Sequence, residues 1–269
     1  MAVRIDGLVT AVGSKYISYL SKSIPIWVNT LDSLTVVTDY QEVPFSLYHD
    51  SGAKFHCTDA FTRYGAHFNK GLALAEAFGV LNPTSYVLNF DADILPEKNW
   101  RKKVEPLLQV GRLHGCSRRY REDGTVIPDS NFPDLWGFFH LWHIDDPHTW
   151  VRPVYPVDCG HAGNYDHTFQ KRWEPENKID LPIHLIHQGE PRSAWFGTDN
   201  PKNEKYMNNL HNLGLYEAWL TKAGHIKVPE FKNEIVIDRI DLLHGISNMH
   251  CVMRNYTDPD PFKYHVVVK

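Results

Sequence analysis

The acidic tripeptide Asp91-Ala92-Asp93 closes a nearly apolar run, YVLNF, at residues 86–90. A short apolar run bounded by polar residues predicts a strand buried on both faces, as in a parallel sheet. Open α/β sheets bind ligands at the carboxyl ends of such strands. In extended backbone Asp91 and Asp93 project to the same side. Two hard oxygen donors so placed can share a divalent cation such as Mg²⁺ or Mn²⁺. The same tripeptide can also serve as a helix cap or a solvated turn, and Pro96-Glu97 just beyond it reads as a helix start.

Other polar residues stand at similar positions. Asp39 follows a second apolar run, LTVVT at 34–38, where it can accept hydrogen bonds from a base or ribose or simply complete a turn. HFNKGLALAEAFGV, at 67–80, predicts a helix with Phe68, Leu72, Ala75 and Phe78 toward the core. Asn69, Lys70 and Gly71 fall in its first turn, where unpaired N–H groups favour anions. A lysine there opposes the helix dipole, which with Arg63 just upstream hints at phosphate binding; a solvated side chain is the alternative. His184 and His187 lie in an apolar context that reads as a strand, so a three-residue separation sends them to opposite faces. Trp136, Phe138 and Trp142 either line a cleft or pack a core.

These residues need a scaffold. GLVTAVG at 7–13 predicts a first buried strand, and Ser14 can cap a helix with Tyr16, Ile17 and Leu20 on one face and Pro25 kinking or ending it. Residues 34–38 and 45–48 predict second and third strands, giving a right-handed βαβ start. Gly-x-Gly-x-x-Gly is absent after the first strand, which excludes a dinucleotide fingerprint. Residues 100–110 read as a helix interrupted by Pro106, and 115–120 with 124–127 as a hairpin around Asp123-Gly124. Residues 135–143 form an aromatic-rich strand, and 160–173 become a helix. Residues 179–188 make a last strand of the main sheet, placed at its edge by Pro182. A further helix is expected at 203–223. The fold class is therefore α/β, with a mostly parallel central sheet flanked by helices.

The 269 residues suit one large domain with an extension, here divided as 1–198 and 199–269. Net charge is −4, and no basic run exceeds Arg118-Arg119-Tyr120-Arg121, so a strongly electrostatic nucleic-acid binder is not indicated. The 4 cysteines lack Cys-x-x-Cys spacing and read as reduced thiols. Neither a signal peptide nor an apolar stretch long enough for a membrane span is evident, and a cytoplasmic location is expected.

Four stretches together resemble the GT-A-type nucleotide-sugar glycosyltransferases of the family-2-like group: LVTAVG with LTVVTD, FNKGLALAEAF, YVLNFDADILPEKNW, and GNYDHTFQKRW with HLIHQGE. The resemblance covers roughly residues 7–190. It implies a Rossmann-like GT-A fold and a metal-dependent transfer of a sugar from a nucleotide diphosphate sugar, UDP first and GDP second, to a hydroxyl acceptor. Glycan, protein, lipid headgroup and modified nucleobase are all open as acceptors. It also implies Mn²⁺ or Mg²⁺ as cofactor. Asp91 and Asp93 become metal-site residues, Asp91 also contacting ribose, and His187 completes the ligand set. Asp39 matches the base-binding aspartate, and Arg63 and Lys70 become nucleotide or phosphate ligands. Asp166 is the expected catalytic base of an inverting reaction, with Glu190 and Asp158 in reserve. The related enzymes more often carry an acidic pair where this chain has Tyr165-Asp166-His167. Two other readings stand beside this one: a sugar-phosphate nucleotidyltransferase, disfavoured because LVTAVGSK offers only Gly13 to a phosphate loop, and a non-catalytic carbohydrate-binding domain on the same scaffold.

Overall fold

The computed structural model describes residues 3–39, 45–63, 68–128, 132–149, 154–157 and 162–189. Its chain order begins β1 (Ile5–Thr10), α1 (Ser14–Thr30), β2 (Ser33–Thr38), α2 (Phe45–Asp50), β3 (Lys54–Cys57), α3 (Lys70–Leu81), β4 (Tyr86–Asp91) and β5 (Ile94–Pro96). It continues α4 (Trp100–Val104), β6 (Leu113–Gly115), β7 (Arg118–Tyr120), β8 (Val126–Pro128), β9 (Phe139–His143), α5 (Ala162–Gln170), β10 (Lys178–Asp180) and β11 (Leu185–His187). A 7-stranded sheet runs β10-β6-β9-β4-β1-β2-β3, and a 4-stranded sheet runs β5-β11-β7-β8. In the large sheet only β9 is antiparallel to its neighbours. The fold is α/β with a mostly parallel central sheet flanked by helices, as expected.

Strand β1 is buried at every position and lies between β2 and β4, both parallel to it. Burial on both faces explains its nearly continuous apolar sequence. One face of the sheet packs on α1 through Ile17, Leu20, Ile24 and Trp27 against Ile5, Val9, Val36, Leu88 and Phe90. Trp27 is fully buried, its ring 4.0 Å from that of Phe90. Side chains of this size each contribute about 2–3 kcal/mol through removal from water. The other face carries Leu8, Val37 and Val87 against Leu72 and Ala77 of α3 and Tyr165 and Phe169 of α5.

Several local expectations change. Residues 45–48 form the start of helix α2, and β3 follows at Lys54–Cys57 as the third parallel strand. Helix α1 is capped by Gly13 at φ 82°, with Ser14 already its first helical residue, and Pro25 sits inside it without ending it. Pro25 and Ser21, the residue whose carbonyl loses its i+4 donor, are both exposed, so water can satisfy that carbonyl. The carboxyl end of 179–188 leaves the main sheet: β10 is its edge strand, and β11 pairs with β5 and β7 in the second sheet. Likewise 115–120 divides between β6 in one sheet and β7 in the other, while β7 and β8 do form the hairpin around Asp123-Gly124. No helix among the described residues is long and apolar enough to cross a membrane. The helix expected at 203–223 and the division at residue 198 lie outside the described residues.

The amino end of α3 fixes the position of one site lysine. Asn69 caps it, its Oδ1 accepting the Leu72 N–H at 2.9 Å while its Nδ2 donates to the Val157 carbonyl at 2.8 Å. Gly71 packs so closely that a Cβ there would lie 1.6 Å from the Pro156 carbonyl oxygen. Gly71→Ala should therefore lower stability by about 1–3 kcal/mol, the range for overpacking. Urea unfolding followed by tryptophan fluorescence measures it, and a loss below about 0.5 kcal/mol would refute this packing.

Candidate active site

Alternation along β4 puts Tyr86, Leu88 and Phe90 in the α1-side core and Val87 in the opposite core. Asn89 and Asp91 therefore project toward α3 and α5. The strand ends at Asp91, and a turn through Ala92 follows before β5. That turn breaks the period-two geometry on which a shared orientation of Asp91 and Asp93 depended. The two carboxylates have different partners.

Asp91 belongs to a cluster under the helices. Lys70 Nζ donates to Asp91 Oδ1 at 2.7 Å and to Asp166 Oδ1 at 3.3 Å. The same ammonium lies 5.1 Å from the centre of the Tyr165 ring. Tyr165 is buried, and its hydroxyl accepts from Asn89 Nδ2 at 3.2 Å. Burial would lower the Lys70 pKa, but the charges of Asp166 and Asp91 outweigh it and the net shift is upward. Asp166 is pushed up to about 6, chiefly by burial; Lys70 opposes that shift, Asp91 adds to it, and Arg119 opposes it weakly. The back of this carboxylate rests on Gly137, where a Cβ would lie 1.7 Å from Oδ1. The site's floor is the start of β9, where the Phe138 carbonyl accepts the Asp91 N–H at 3.3 Å. His140 in β9 is pushed down to about 4 by burial and donates through Nε2 to the Leu135 carbonyl at 2.7 Å, so it is a neutral floor residue.

Asp93 faces the second sheet. β11 runs antiparallel to β5 with His187 opposite Ile94, and the Gln188 N–H donates to the Asp93 carbonyl at 2.8 Å. This register brings His187 Nε2 to 3.2 Å from Asp93 Oδ2. His187 Nδ1 lies 3.2 Å from the Gly189 carbonyl, which assigns the proton to Nδ1 and leaves Nε2 directed at the carboxylate. Asp93 Oδ1 is buried with no hydrogen-bond partner. A buried carboxylate with one bare oxygen, facing an imidazole whose other nitrogen is fixed by a carbonyl, fits a divalent cation. Two ligands about 2.1 Å from an octahedral ion stand about 3 Å apart, close to the spacing present here. Among the described residues no group of three or more His, Cys, Asp or Glu surrounds a common point. Of the expected set Asp91, Asp93 and His187, the structure brings the last two together and pairs Asp91 with Lys70.

The remaining candidates are distributed around this centre. Asp39 follows β2, which is two strands from β4, or about 10 Å across the sheet. It stands beside Cys57, whose thiol is raised by burial and by Asp39. Arg63 binds Asp59 and Glu76, and Glu76 Oε2 also accepts from Thr58 Oγ1 at 2.6 Å. Its guanidinium thus ties the turn after β3 to α3. His184 is exposed against the Tyr120 ring. Phe138 and Trp142 are core residues, whereas Trp136 stacks on His167 beside Asp166. Glu190 and Asp158 lie outside the described residues.

Three site residues escaped the sequence reading. Tyr16 of α1 has its hydroxyl raised by burial and then by Asp93 and Asp91, which places it beside both acids. Arg119 of β7 is buried, 4.8 Å from the centre of the Phe138 ring. Gly137 backs Asp166. Tyr16 had been visible only as an apolar position on a helix, and the other two become adjacent to the site only through the pairing of distant strands.

No protein-family profile and no curated protein matches the sequence. Among solved structures, the chain is similar to WbbM, a bifunctional glycosyltransferase, at 13% identity over 68% of this chain and 39% of that chain, with a TM-score of 0.41. The chain thus spans about two fifths of the WbbM chain it matches. It is also similar to glucosyl-3-phosphoglycerate synthase from Mycobacterium tuberculosis, solved with Mn²⁺, UDP and glucosyl-3-phosphoglycerate. There the identity is 13% over 87% of this chain and 84% of that one, with a TM-score of 0.46. A protein of Bacillus anthracis described as a glucose-1-phosphate thymidylyltransferase matches at 10% identity over 68% of this chain and 89% of its own, with a TM-score of 0.43.

The raised Asp166 pKa has a thermodynamic consequence. An unfolded aspartate titrates near 3.9, so between about pH 4 and 6 the folded chain holds a proton that the unfolded chain has lost. Asp166 therefore lowers stability as pH rises through that window, by about 2–3 kcal/mol in all. Asp166→Asn should gain on the wild type by that amount between pH 4 and 7 in denaturant titrations. A constant difference across the range would show that Asp166 ionises normally.

Proposed function

We propose that this chain is a GT-A-type glycosyltransferase that moves a sugar from a nucleotide diphosphate sugar, UDP favoured, to a hydroxyl acceptor. The observation that carries this reading is the juxtaposition at the carboxyl end of β4. A largely buried carboxylate tuned to about 6, Asp166, stands on one side of Asp91, and the Asp93–His187 pair, 3.2 Å apart, follows on the other. Glycosyl transfer needs both: a base for the acceptor hydroxyl and positive charge for the departing diphosphate.

Asp166 accepts the acceptor's proton as its oxygen approaches the anomeric carbon, which makes the inverting course the favoured one. A group with a pKa near 6 is ionised at neutral pH yet basic enough to take that proton. Asp93 and His187 would hold Mn²⁺ or Mg²⁺, with Asp91 and Tyr16 nearby. Such an ion, when bound, supplies charge that stabilises the diphosphate as the bond to the sugar lengthens. Asp39 would accept hydrogen bonds from the base or ribose at the far end of the nucleotide. Trp136, stacked on His167, offers an aromatic face to an acceptor. The acceptor itself is left as a hydroxyl compound of unspecified class.

Calorimetric titration of UDP, and separately GDP, with and without Mn²⁺ tests the donor side. UDP should bind at least about tenfold more tightly with the metal, and Asp93→Ala or His187→Ala should remove that difference. Failure of every nucleoside diphosphate to show metal-dependent binding sinks the reading. In a screen of nucleotide sugars for slow hydrolysis, Asp166→Asn should lower the rate by about 10²–10⁴ while leaving UDP binding intact. Release of diphosphate from a nucleoside triphosphate and a sugar phosphate would instead indicate a nucleotidyltransferase.

A further inference from the structure

We infer that Lys70 is the positioning residue of Asp166, fixing where that carboxylate lies, and not a ligand of the donor's phosphates. The inference rests on the reading of Asp166 as the base. Lys70 is only 3% exposed. Its ammonium joins three elements, reaching from α3 to Asp91 on β4 at 2.7 Å and to Asp166 on α5 at 3.3 Å. The backbone that carries it is held by the Asn69 cap and by the contact of Gly71 with Pro156. Asp166 is thus confined between two fixed points, the Lys70 ammonium at Oδ1 and the Cα of Gly137 behind it. Without the ammonium, the acid could move to another rotamer.

Charge counting gives the same assignment. At formal charges Lys70 and Arg119 balance Asp91 and Asp166, so the cluster has no excess positive charge to attract a diphosphate. A lysine turned toward a phosphate would give up its bonds to both carboxylates, and Asp166, the less exposed of the two, would lose its pairing at a largely buried position. The charged and titratable groups facing Asp166 are Lys70 from α3, Asp91 from β4, Arg119 from β7 and its own neighbour Tyr165. Lys70 hydrogen-bonds to Asp166 directly.

The test compares the full chain with its Lys70→Met and Lys70→Arg variants. Two quantities are read: UDP affinity with Mn²⁺, by calorimetry, and the ionisation midpoint of Asp166, by carboxyl ¹³C NMR with Asp166→Asn as the assignment control. For a positioning residue, Lys70→Met raises the Asp166 midpoint by about one pH unit or more, and Lys70→Arg restores it. UDP affinity then stays within about threefold of wild type. An unchanged midpoint with a tenfold loss of UDP affinity, or about that, overturns the inference and makes Lys70 a phosphate ligand. If Lys70→Met does not fold, Lys70→Gln is read instead: it keeps a hydrogen-bond donor but removes the charge, so the midpoint should rise by about one pH unit, and an unmoved midpoint refutes the bridge. A wild type that binds no UDP sinks the proposed donor, while the midpoint still reports on Lys70.

Discussion

A lysine ammonium buried between two carboxylates constrains everything around it. Removing these charges from water is unfavourable by several kcal/mol for each ion, and only close pairing offsets that. Lys70, Asp91 and Asp166 must therefore remain together, which ties α3, β4 and α5 at one point. The close packing of Gly71 on Pro156 and of Gly137 on Asp166 serves the same end. In each case a missing Cβ lets backbone or a carboxylate approach to a distance that no other residue would permit. Burial is the chief reason that Asp166 keeps its proton to about pH 6; the Lys70 charge opposes that shift and the Asp91 charge adds to it.

The same strand end supplies the other half of the site through a turn of two residues. Asp91 closes the large sheet, Ala92 enters the α1-side core, and Asp93 opens into the small sheet, where β5 pairs with β11. Neighbouring residues in sequence thus serve two separate electrostatic environments. Asp91 meets a permanent cation of the protein. Asp93 meets Nε2 of His187 and keeps one oxygen bare, an arrangement suited to an exchangeable cation. A molecule bound between the two sheets would contact both environments at once.

Much of this was legible in the residues. The apolar runs located β1, β2 and β4, because central parallel strands are buried on both faces and so lack polar interruptions. The end of β4 and the helix beginning near Lys70 followed from the same pattern. His187 was separated from His184 by strand alternation, and the structure buries His187 while exposing His184. Other features depended on contacts that local pattern does not encode. The partner of Lys70 is one such feature: a lysine in a helix's first turn points toward whatever the tertiary fold places there, here two acids 21 and 96 positions away. Strand β3 was missed because KFHC is short, half-buried and without alternation, whereas FSLY looks more like a strand but forms the start of α2. The division of 179–188 between two sheets falls around Pro182: β10 before it is the edge strand of the large sheet, as expected, and β11 after it belongs to the second sheet.

The reversed strand β9 completes the geometry. In a wholly parallel sheet the strand beside β4 would present its carboxyl end at the site. β9 runs the other way, with Phe139 beside Phe90, so its amino end arrives there instead. The segment leading into it can then pass beneath the acids: Phe138 offers its carbonyl to Asp91, Gly137 supports Asp166, and Trp136 stacks with His167. Three consecutive residues thereby contact Asp91, Asp166 and His167. The position of Asp166 relative to the end of β4 is set by the backbone of one strand and by the Lys70 ion cluster. Such rigidity suits the proposed transfer, because an error of about an ångström between a base and its acceptor reduces a rate severely.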